Sequence, residues 1–330
     1  MRKEAFLHLF PDTLRPFWQK AAAYAEGIQE IRLRVNRPAI VLYHNEEHFL
    51  TEDGSLSEKI YKVHISREKE LEDMLAHICH HSLYAFADEI RQGFLTIQGG
   101  HRIGLAGQVI LEREDFVRNI KYIRYLHIRI AHELPGVSDR LLPYLYHQGE
   151  IHNTLIISPP GCGKTTMLRD LVRNVSNGNT YGRGRNVGLV DERSEIAGSF
   201  LGVPQNDVGI RTDVMDACPK REGMMMLVRS MAPEVLAVDE IGSAGDMEAM
   251  GQALRCGCKM LATIHGSSLE EAGSKPYMKE AFSEGLFERY LLLGKINNVC
   301  DVLGLYDEKR EICSNWQVSY CCSSDVPVLV

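Results

Sequence analysis

Ser158-Pro159-Pro160-Gly161-Cys162-Gly163-Lys164-Thr165-Thr166 is the stretch on which the fold turns. An apolar run at residues 154–157 precedes it, and a helix-patterned segment at residues 167–175 follows. A strand, a glycine-rich turn ending in Gly-Lys-Thr and then a helix make a phosphate-cradling P-loop. In such a loop the backbone N–H groups and the positive helix end surround the phosphates, the lysine reaches the β- and γ-phosphates, and the threonine hydroxyl can ligate Mg²⁺. The prediction is a nucleoside triphosphate held by Ser158, Pro159, Pro160, Gly161, Cys162, Gly163, Lys164, Thr165 and Thr166, with Thr165 on the metal. The pattern G-x-x-x-x-G-K-[ST] has glycine where this chain has Ser158, so the backbone there must adopt an angle that a side chain tolerates.

Outward from the loop, the C-terminal half alternates strand and helix signals. Strands are predicted at residues 154–157, 186–190, Val235–Val238 and 260–264, with helical patterns between several of them. That alternation marks a parallel sheet covered by helices, whose ligands bind at the carboxyl ends of the strands. A helix at 277–283 and two strand-like runs, 286–293 and Val299–Tyr306, follow. The N-terminal half reads as α+β. An amphipathic opening at 6–25 leads to strands at 30–35 and 39–43, a helical region at 68–90 with Ser66 as its N-cap, and strands at 93–97, 103–111 and 126–130. Residues 137–147 read as a helical connector, which puts the boundary near residue 150. The expected fold class is thus α/β: a P-loop domain with a parallel sheet at 150–330, preceded by a smaller α+β domain at 1–149.

Composition sets the outer limits. At 330 residues there is room for two cores, and 45% hydrophobic with 25% charged content is ordinary for a globular chain. A net charge of −7 argues against broad coating of nucleic acid. No apolar run has the length of a membrane span, and Met1-Arg2-Lys3 leads into no signal-peptide core, so a cytoplasmic protein is expected. The nine cysteines are an odd number without C-x-x-C spacing, which reads as reduced thiols; Cys256-Gly257-Cys258 reads as packing rather than a metal or redox pair.

Three more strand ends carry chemistry. Val235-Leu236-Ala237-Val238-Asp239-Glu240 is an apolar strand ending in two carboxylates, a Walker B pattern in which Asp239 can hold Mg²⁺ and Glu240 can orient and deprotonate the attacking water. Met260-Leu261-Ala262-Thr263-Ile264-His265-Gly266 repeats the arrangement with Thr263 or His265 placed to hydrogen-bond a γ-phosphate. Val190-Asp191-Glu192-Arg193-Ser194-Glu195 is a third acidic strand end, so Glu192 and Glu195 compete with Glu240 as general base.

These motifs, with Arg229-x-x-x-Pro233-Glu234, resemble in kind and order those of the type II/type IV secretion ATPases over residues 150–270. A closer resemblance, to the stage III sporulation AA family of that superfamily, rests on three N-terminal stretches and the long run 190–266. The N-terminal stretches are Ile31-Arg32-Leu33-Arg34-Val35-Asn36-Arg37-Pro38, Arg91-Gln92-Gly93-Phe94-Leu95-Thr96 and Gly99-Gly100-His101-Arg102-Ile103-Gly104. The resemblance implies a RecA-like motor domain using ATP and Mg²⁺, assembled as a homo-hexameric ring. It further implies a mother-cell location, peripheral at the membrane, where the ring docks on membrane proteins of the mother cell to forespore channel. Asp239 departs from the many secretion ATPases that carry Gly before the catalytic Glu.

Ring ATPases often add an arginine to the transferring phosphoryl group; Arg102, Arg129, Arg211, Arg221 and Arg229 are candidates. Arg32 and Arg34 share a strand face with Arg124 and Arg129 nearby, either as a basic wall or as a solvated sheet face. The leading expectation is ATP hydrolysis driving a secretion-like apparatus in spore formation. Its alternatives are a P-loop nucleic-acid translocase, which the acidic charge disfavours, and a nucleotide-gated assembly module with little turnover.

Overall fold

The computed structural model describes residues 3–113, 116–296, 299–314 and 316. The chain divides into two compact units, residues 1–132 and 133–330. The division falls before the 137–147 segment rather than near residue 150. The physical reason is packing: Val137, Leu141, Leu142 and Leu145 are buried in the same core as Leu168 and Leu171 of the second unit.

In the first unit, seven strands form one antiparallel sheet: β1 (Ile28–Arg34), β2 (Ile40–Tyr43), β3 (Glu46–Leu50), β4 (Leu56–Ser57), β5 (Phe94–Thr96), β6 (Arg102–Arg113) and β7 (Phe116–Arg129). Their order is β4-β3-β2-β1-β7-β6-β5. Period-2 alternation sends Ile31 and Leu33 of β1 inward and Arg32 and Arg34 to the other face. Much of the charge on that face is compensated. Glu30 accepts from Arg32 at 2.7 Å and lies 2.7 Å from His127 and 3.8 Å from Arg129, and Glu47 is 3.9 Å from Arg32, while Arg124, in step with buried Leu126, pairs with Glu68 on the other face. The solvated-face reading therefore holds over the basic wall.

Two expectations fail in this unit. The helical region at 68–90 is broken: helix Glu68–Ile78 ends before His80 and His81, whose φ of 47° and 60° are incompatible with continuing it, and a short helix resumes at Ala87–Gln92. The N-cap is Arg67, not Ser66. The Arg67 backbone N–H donates to the Glu70 carboxylate at 3.0 Å, whereas Ser66 is buried.

The second unit leads through two short helical turns, Asp139–Leu141 and Leu142–Leu145, into a small hairpin, β8 (Tyr146–His147) and β9 (Glu150–Ile151). Its sheet holds β10 (Thr154–Ser158), β11 (Val187–Asp191), β12 (Thr212–Asp216), β13 (Val235–Val238), β14 (Lys259–His265), β15 (Arg289–Ile296) and β16 (Val299–Tyr306), in the order β12-β11-β13-β14-β10-β15-β16. Pairing is parallel throughout except between β15 and β16. β12 was not predicted from sequence, β15 begins and ends three residues later than the 286–293 run, and the other strands lie within a residue or so of where the pattern put them.

Alternate residues of each strand feed opposite cores. Ile156, Leu189, Ala237 and Leu261 join Leu168, Leu171 and Val175 of helix Lys164–Asn177 on one side. Leu155, Val190, Leu236 and Ala262 join Met224, Leu227, Met250 and Ala253 of helices Lys220–Ser230 and Ala244–Arg255 on the other. β10, β11 and β13 are buried along their whole length, which explains their unbroken apolar sequence. Each fully buried Leu, Ile or Val contributes roughly 1.5–3 kcal/mol. These cores hold the strand ends rigidly at one edge, and all of the motifs except the arginine candidates sit there.

Candidate nucleotide site

The loop after β10 takes the form its glycines allow. Gly161 and Gly163 have φ of 68° and 73°, where a Cβ is strained, and an added Cβ on Gly161 would meet nothing within 4 Å. Gly163 is the N-cap of helix Lys164–Asn177, whose first N–H groups have no intrahelical acceptor. The loop thus presents an open surface edged by backbone donors. Ser158 needs no special angle, because it closes β10 in extended backbone, fully buried, with its hydroxyl donating to the Pro159 carbonyl at 2.9 Å.

Across the sheet edge stand the carboxylates. Lys164 Nζ is 3.8 Å from Asp239 Oδ1 and 3.6 Å from Glu240 Oε2. β14 lies between β10 and β13 and supplies the residue that fixes both acids. The Thr263 hydroxyl donates to Asp239 Oδ1 at 2.9 Å and accepts the Glu240 backbone N–H, also at 2.9 Å. Glu240 is held at φ 41°, a region uncommon for a residue with a side chain and costly by about 1–3 kcal/mol. The strain turns its carboxylate toward Lys164 and toward His265, whose Nε2 is 3.2 Å away. Arg193 is 3.9 Å from the same carboxylate. Burial pushes the Glu240 carboxyl up, but the charges of Lys164, His265 and Arg193 outweigh it and hold the group below its ordinary value.

The other two candidate acids have partners of their own. Glu192 forms a close ion pair with Lys220, a residue the sequence reading did not single out. Glu195 has its backbone pinned, its N–H to Asp191 at 2.9 Å and its carbonyl to Arg169 at 2.7 Å. Asp191 is buried and accepts three backbone N–H groups, from Glu195, Ile196 and Ala197, at 2.8–3.0 Å. That makes the 190–195 motif a loop organiser built on Asp191. Thr263 also differs from expectation: it is fully buried with its hydroxyl committed twice, so of the two γ-phosphate candidates only His265 faces the Glu240 carboxylate. Contacts between neighbouring strands, or between a helix and a strand-end loop, cannot be seen in a linear motif, so the double commitment of Thr263 and the contacts of Lys220 and Arg169 with the 190–195 loop were not legible in the sequence.

The arginine candidates are dispersed. Arg102 stacks on Phe94 and Arg129 lies by Glu30, both in the first unit. Arg211 donates to the Ser176 carbonyl, near the end of helix Lys164–Asn177 opposite the loop. Arg221 pairs with Glu248 at 3.3 Å, and Arg221 and Arg229 line one cleft. None of the five has a contact to Lys164, Asp239 or Glu240 among the described ion pairs. Cys162 is buried in the loop, and the Cys300 thiol reaches the Gly161 carbonyl at 3.3 Å; burial and the neighbouring Cys162 push the Cys300 thiol up to about 11.

Fold comparison agrees with this architecture. The chain superposes on the ATPase DotB of Legionella pneumophila with a TM-score of 0.56, at 14% identity, over 87% of this chain and 79% of that one. On the pilus retraction motor PilT with bound ADP the TM-score is 0.55, at 13% identity, over 86% and 81%. The second unit accordingly has a RecA-like fold. In sequence, the chain is 40% identical to the stage III sporulation protein AA of Bacillus subtilis over 287 residues, which span 87% of this chain and 89% of that protein. The family model described as sporulation stage III, protein AA matches residues 1–313, and with that relative it shows that this chain belongs to the stage III sporulation protein AA family.

Proposed function

We propose that the chain is a Mg²⁺-dependent ATP hydrolase that serves as the motor of a secretion-like apparatus in spore formation. One observation carries the reading: a buried P-loop lysine faces two carboxylates at 3.6 and 3.8 Å beneath an open glycine turn. Without a bound polyanion Lys164 is neutralised by Asp239 and Glu240. Phosphates on the loop offer the lysine a second counter-charge, and a divalent cation offers the acids one.

The donor set fits both groups. Thr165, partly exposed at the start of the helix, and Asp239 are the hard oxygen ligands for Mg²⁺. Bound there, Mg²⁺ would supply electrostatic compensation for the triphosphate's negative charge. The backbone N–H groups of residues 161–165 and Lys164 hold the triphosphate in line. Glu240, kept ionised by its cationic neighbours, accepts a proton from the attacking water, and His265 orients that carboxylate through Nε2. Glu192 and Glu195 act on the loop rather than on water.

The motor reading draws further support from family membership and from the fold shared with an ATPase and a pilus retraction motor. No helix among the described residues is long and apolar enough to cross a membrane. We place the working form as a homo-hexamer in the mother cell, peripheral at the membrane through channel proteins. The test is phosphate release from ATP with and without Mg²⁺, together with nucleotide binding. Lys164→Ala is expected to lose both binding and turnover, and Glu240→Gln to lose turnover while still binding ATP. Unchanged turnover in both variants would overturn the site.

A further inference from the structure

Among the described ion pairs, the arginine that meets Glu240 is none of the five candidates but Arg193. Its Nη1 lies 3.9 Å from Glu240 Oε2, the same oxygen that Lys164 Nζ approaches at 3.6 Å, while His265 faces Oε1. Sheet order explains the convergence. β13, which ends just before Asp239 and Glu240, runs between β11 and β14, and β10 lies beyond β14. Arg193 stands two residues past the end of β11 and Lys164 follows the loop after β10. The Glu240 carboxylate is therefore bracketed by two cations that come to it from opposite sides of its own strand.

The backbone under Arg193 is held firmly. The Ser194 N–H closes a turn on the Asp191 carbonyl at 3.4 Å, and Ser194, at φ 52°, gives its hydroxyl proton to Asp216 at 2.6 Å. The Asp191 carboxylate takes the next three N–H groups, and Arg169 donates to the Glu195 and Ile196 carbonyls at 2.7 and 2.6 Å. The Arg193 side chain, by contrast, is 61% exposed, and a pairing at 3.9 Å on the surface contributes little by itself. A guanidinium on a rigid base, lightly engaged with a carboxylate, can exchange that contact for a phosphate, whose oxygens match its planar fork of donors.

We propose that Arg193 is the catalytic arginine of this site and acts in cis: its guanidinium donates to a γ-phosphate oxygen and stabilises the charge on the transferring phosphoryl group. The assignment rests on the ATP hydrolysis read above for the same site. In that step the oxygen of a water bonds to the γ-phosphorus as the bond from this phosphorus to the β,γ-bridging oxygen breaks. The electron pair of the broken bond stays with ADP, and a proton of the water passes to Glu240. Arg193 gains and loses no proton; it supplies charge and two donors to the group in flight. A neighbouring subunit need not supply that cation.

The experiment compares the full-length parent with Arg193→Ala and Arg193→Lys. It measures ATP turnover against pH, affinity for a fluorescent ADP with and without aluminium fluoride, which beside ADP mimics the phosphoryl group in transfer, and turnover of Arg193→Ala mixed with Glu240→Gln. Arg193→Ala is expected to lose kcat at least a hundredfold at every pH, with KM for ATP within threefold of the parent. It should keep ADP affinity within twofold, which reports an intact loop, and lose at least tenfold of the tightening by aluminium fluoride. Arg193→Lys, which keeps the charge without the fork, should recover part of the rate. The mixture is expected to stay inactive, because each site built from one chain lacks one of the two groups. A parent that neither binds nor hydrolyses ATP would overturn the ATPase reading and this assignment with it. With an active parent, kcat within threefold in Arg193→Ala would overturn the assignment alone. So would a loss that vanishes as pH rises while aluminium fluoride still tightens binding, since Arg193 would then only keep Glu240 ionised. Recovery of turnover in the mixture would place the arginine in trans, and ADP affinity lost in step with turnover in both variants would reduce Arg193 to a support of the loop.

Discussion

Thr263 donates its hydroxyl proton to Asp239 at 2.9 Å and takes the Glu240 backbone N–H on the same oxygen. One hydroxyl on β14 therefore fixes both the Asp239 carboxylate and the Glu240 backbone just past the end of β13. The Ile241 N–H closes the arrangement by donating to the Thr263 carbonyl at 2.8 Å. Glu240 can hold its left-handed conformation because these contacts over-determine it.

Removing that hydroxyl should cost both stability and rate. Thr263→Val keeps the shape but leaves the Glu240 N–H without its acceptor, at about 1–3 kcal/mol. The urea midpoint is expected to fall accordingly, and turnover to drop at least tenfold with ATP binding retained. Thr263→Ser, which keeps the hydroxyl, should stay within about threefold of the parent rate. Equal turnover in the valine and serine variants would refute the role.

The ion pairs rank the candidate bases. Glu192 is committed to Lys220 and Glu240 faces Lys164 and His265. Glu192→Gln should therefore lower turnover by no more than a few fold, against a loss of two orders of magnitude or more for Glu240→Gln. Single-turnover assays on the two variants decide the matter, and the reverse ranking would transfer the base to the 190–195 motif.

Most of the RecA-like sheet was legible because β10, β11 and β13 are buried on both faces and must be continuous apolar runs. β12 escaped because an edge strand, Thr212-Asp213-Val214-Met215-Asp216, is only partly buried and carries two aspartates. β7 was foreseen only at its inner end. Arg118, Asn119 and Lys121 give no apolar strand signal because they belong to a two-stranded stretch of β6 and β7 beyond the pairing with β1 and β5. Within the candidate site, residues adjacent in sequence to an apolar strand end were legible as candidates, whereas contacts made only in three dimensions, Thr263 with Asp239 between neighbouring strands and Lys220 of a helix with Glu192, were not.

Asp191 predicts a pH signature of folding. Burial, with Asp216 close by, pushes its carboxyl from 3.8 up to about 6 despite the backbone N–H groups that favour the anion. Between roughly pH 4 and 6 the folded chain keeps a proton that the unfolded chain has released. The residue's contribution to stability therefore falls as pH rises through that window. Asp191→Asn cannot ionise, so urea midpoints measured from pH 4 to 7 should show the parent losing about 1–3 kcal/mol relative to the variant. Parallel profiles would mean that the carboxyl is already ionised at pH 4.

Ser158 and Gly163 predict opposite tolerances within one loop. Ser158 ends β10 in extended backbone, and its hydroxyl serves only the neighbouring Pro159 carbonyl. Ser158→Gly should keep turnover within about twofold and lose roughly 0.5–1 kcal/mol through added backbone freedom. Gly163 has φ 73° at the head of the phosphate-facing helix, where a Cβ costs roughly 1–2 kcal/mol in the left-handed region. Gly163→Ala should relieve that strain by shifting the N–H groups that follow, so ATP affinity is expected to fall at least tenfold. Nucleotide titrations and urea unfolding on both variants check the contrast. A tenfold loss of turnover in Ser158→Gly would mean that its hydroxyl takes part in the chemistry, and unchanged affinity in Gly163→Ala would mean that the loop holds phosphate in another conformation.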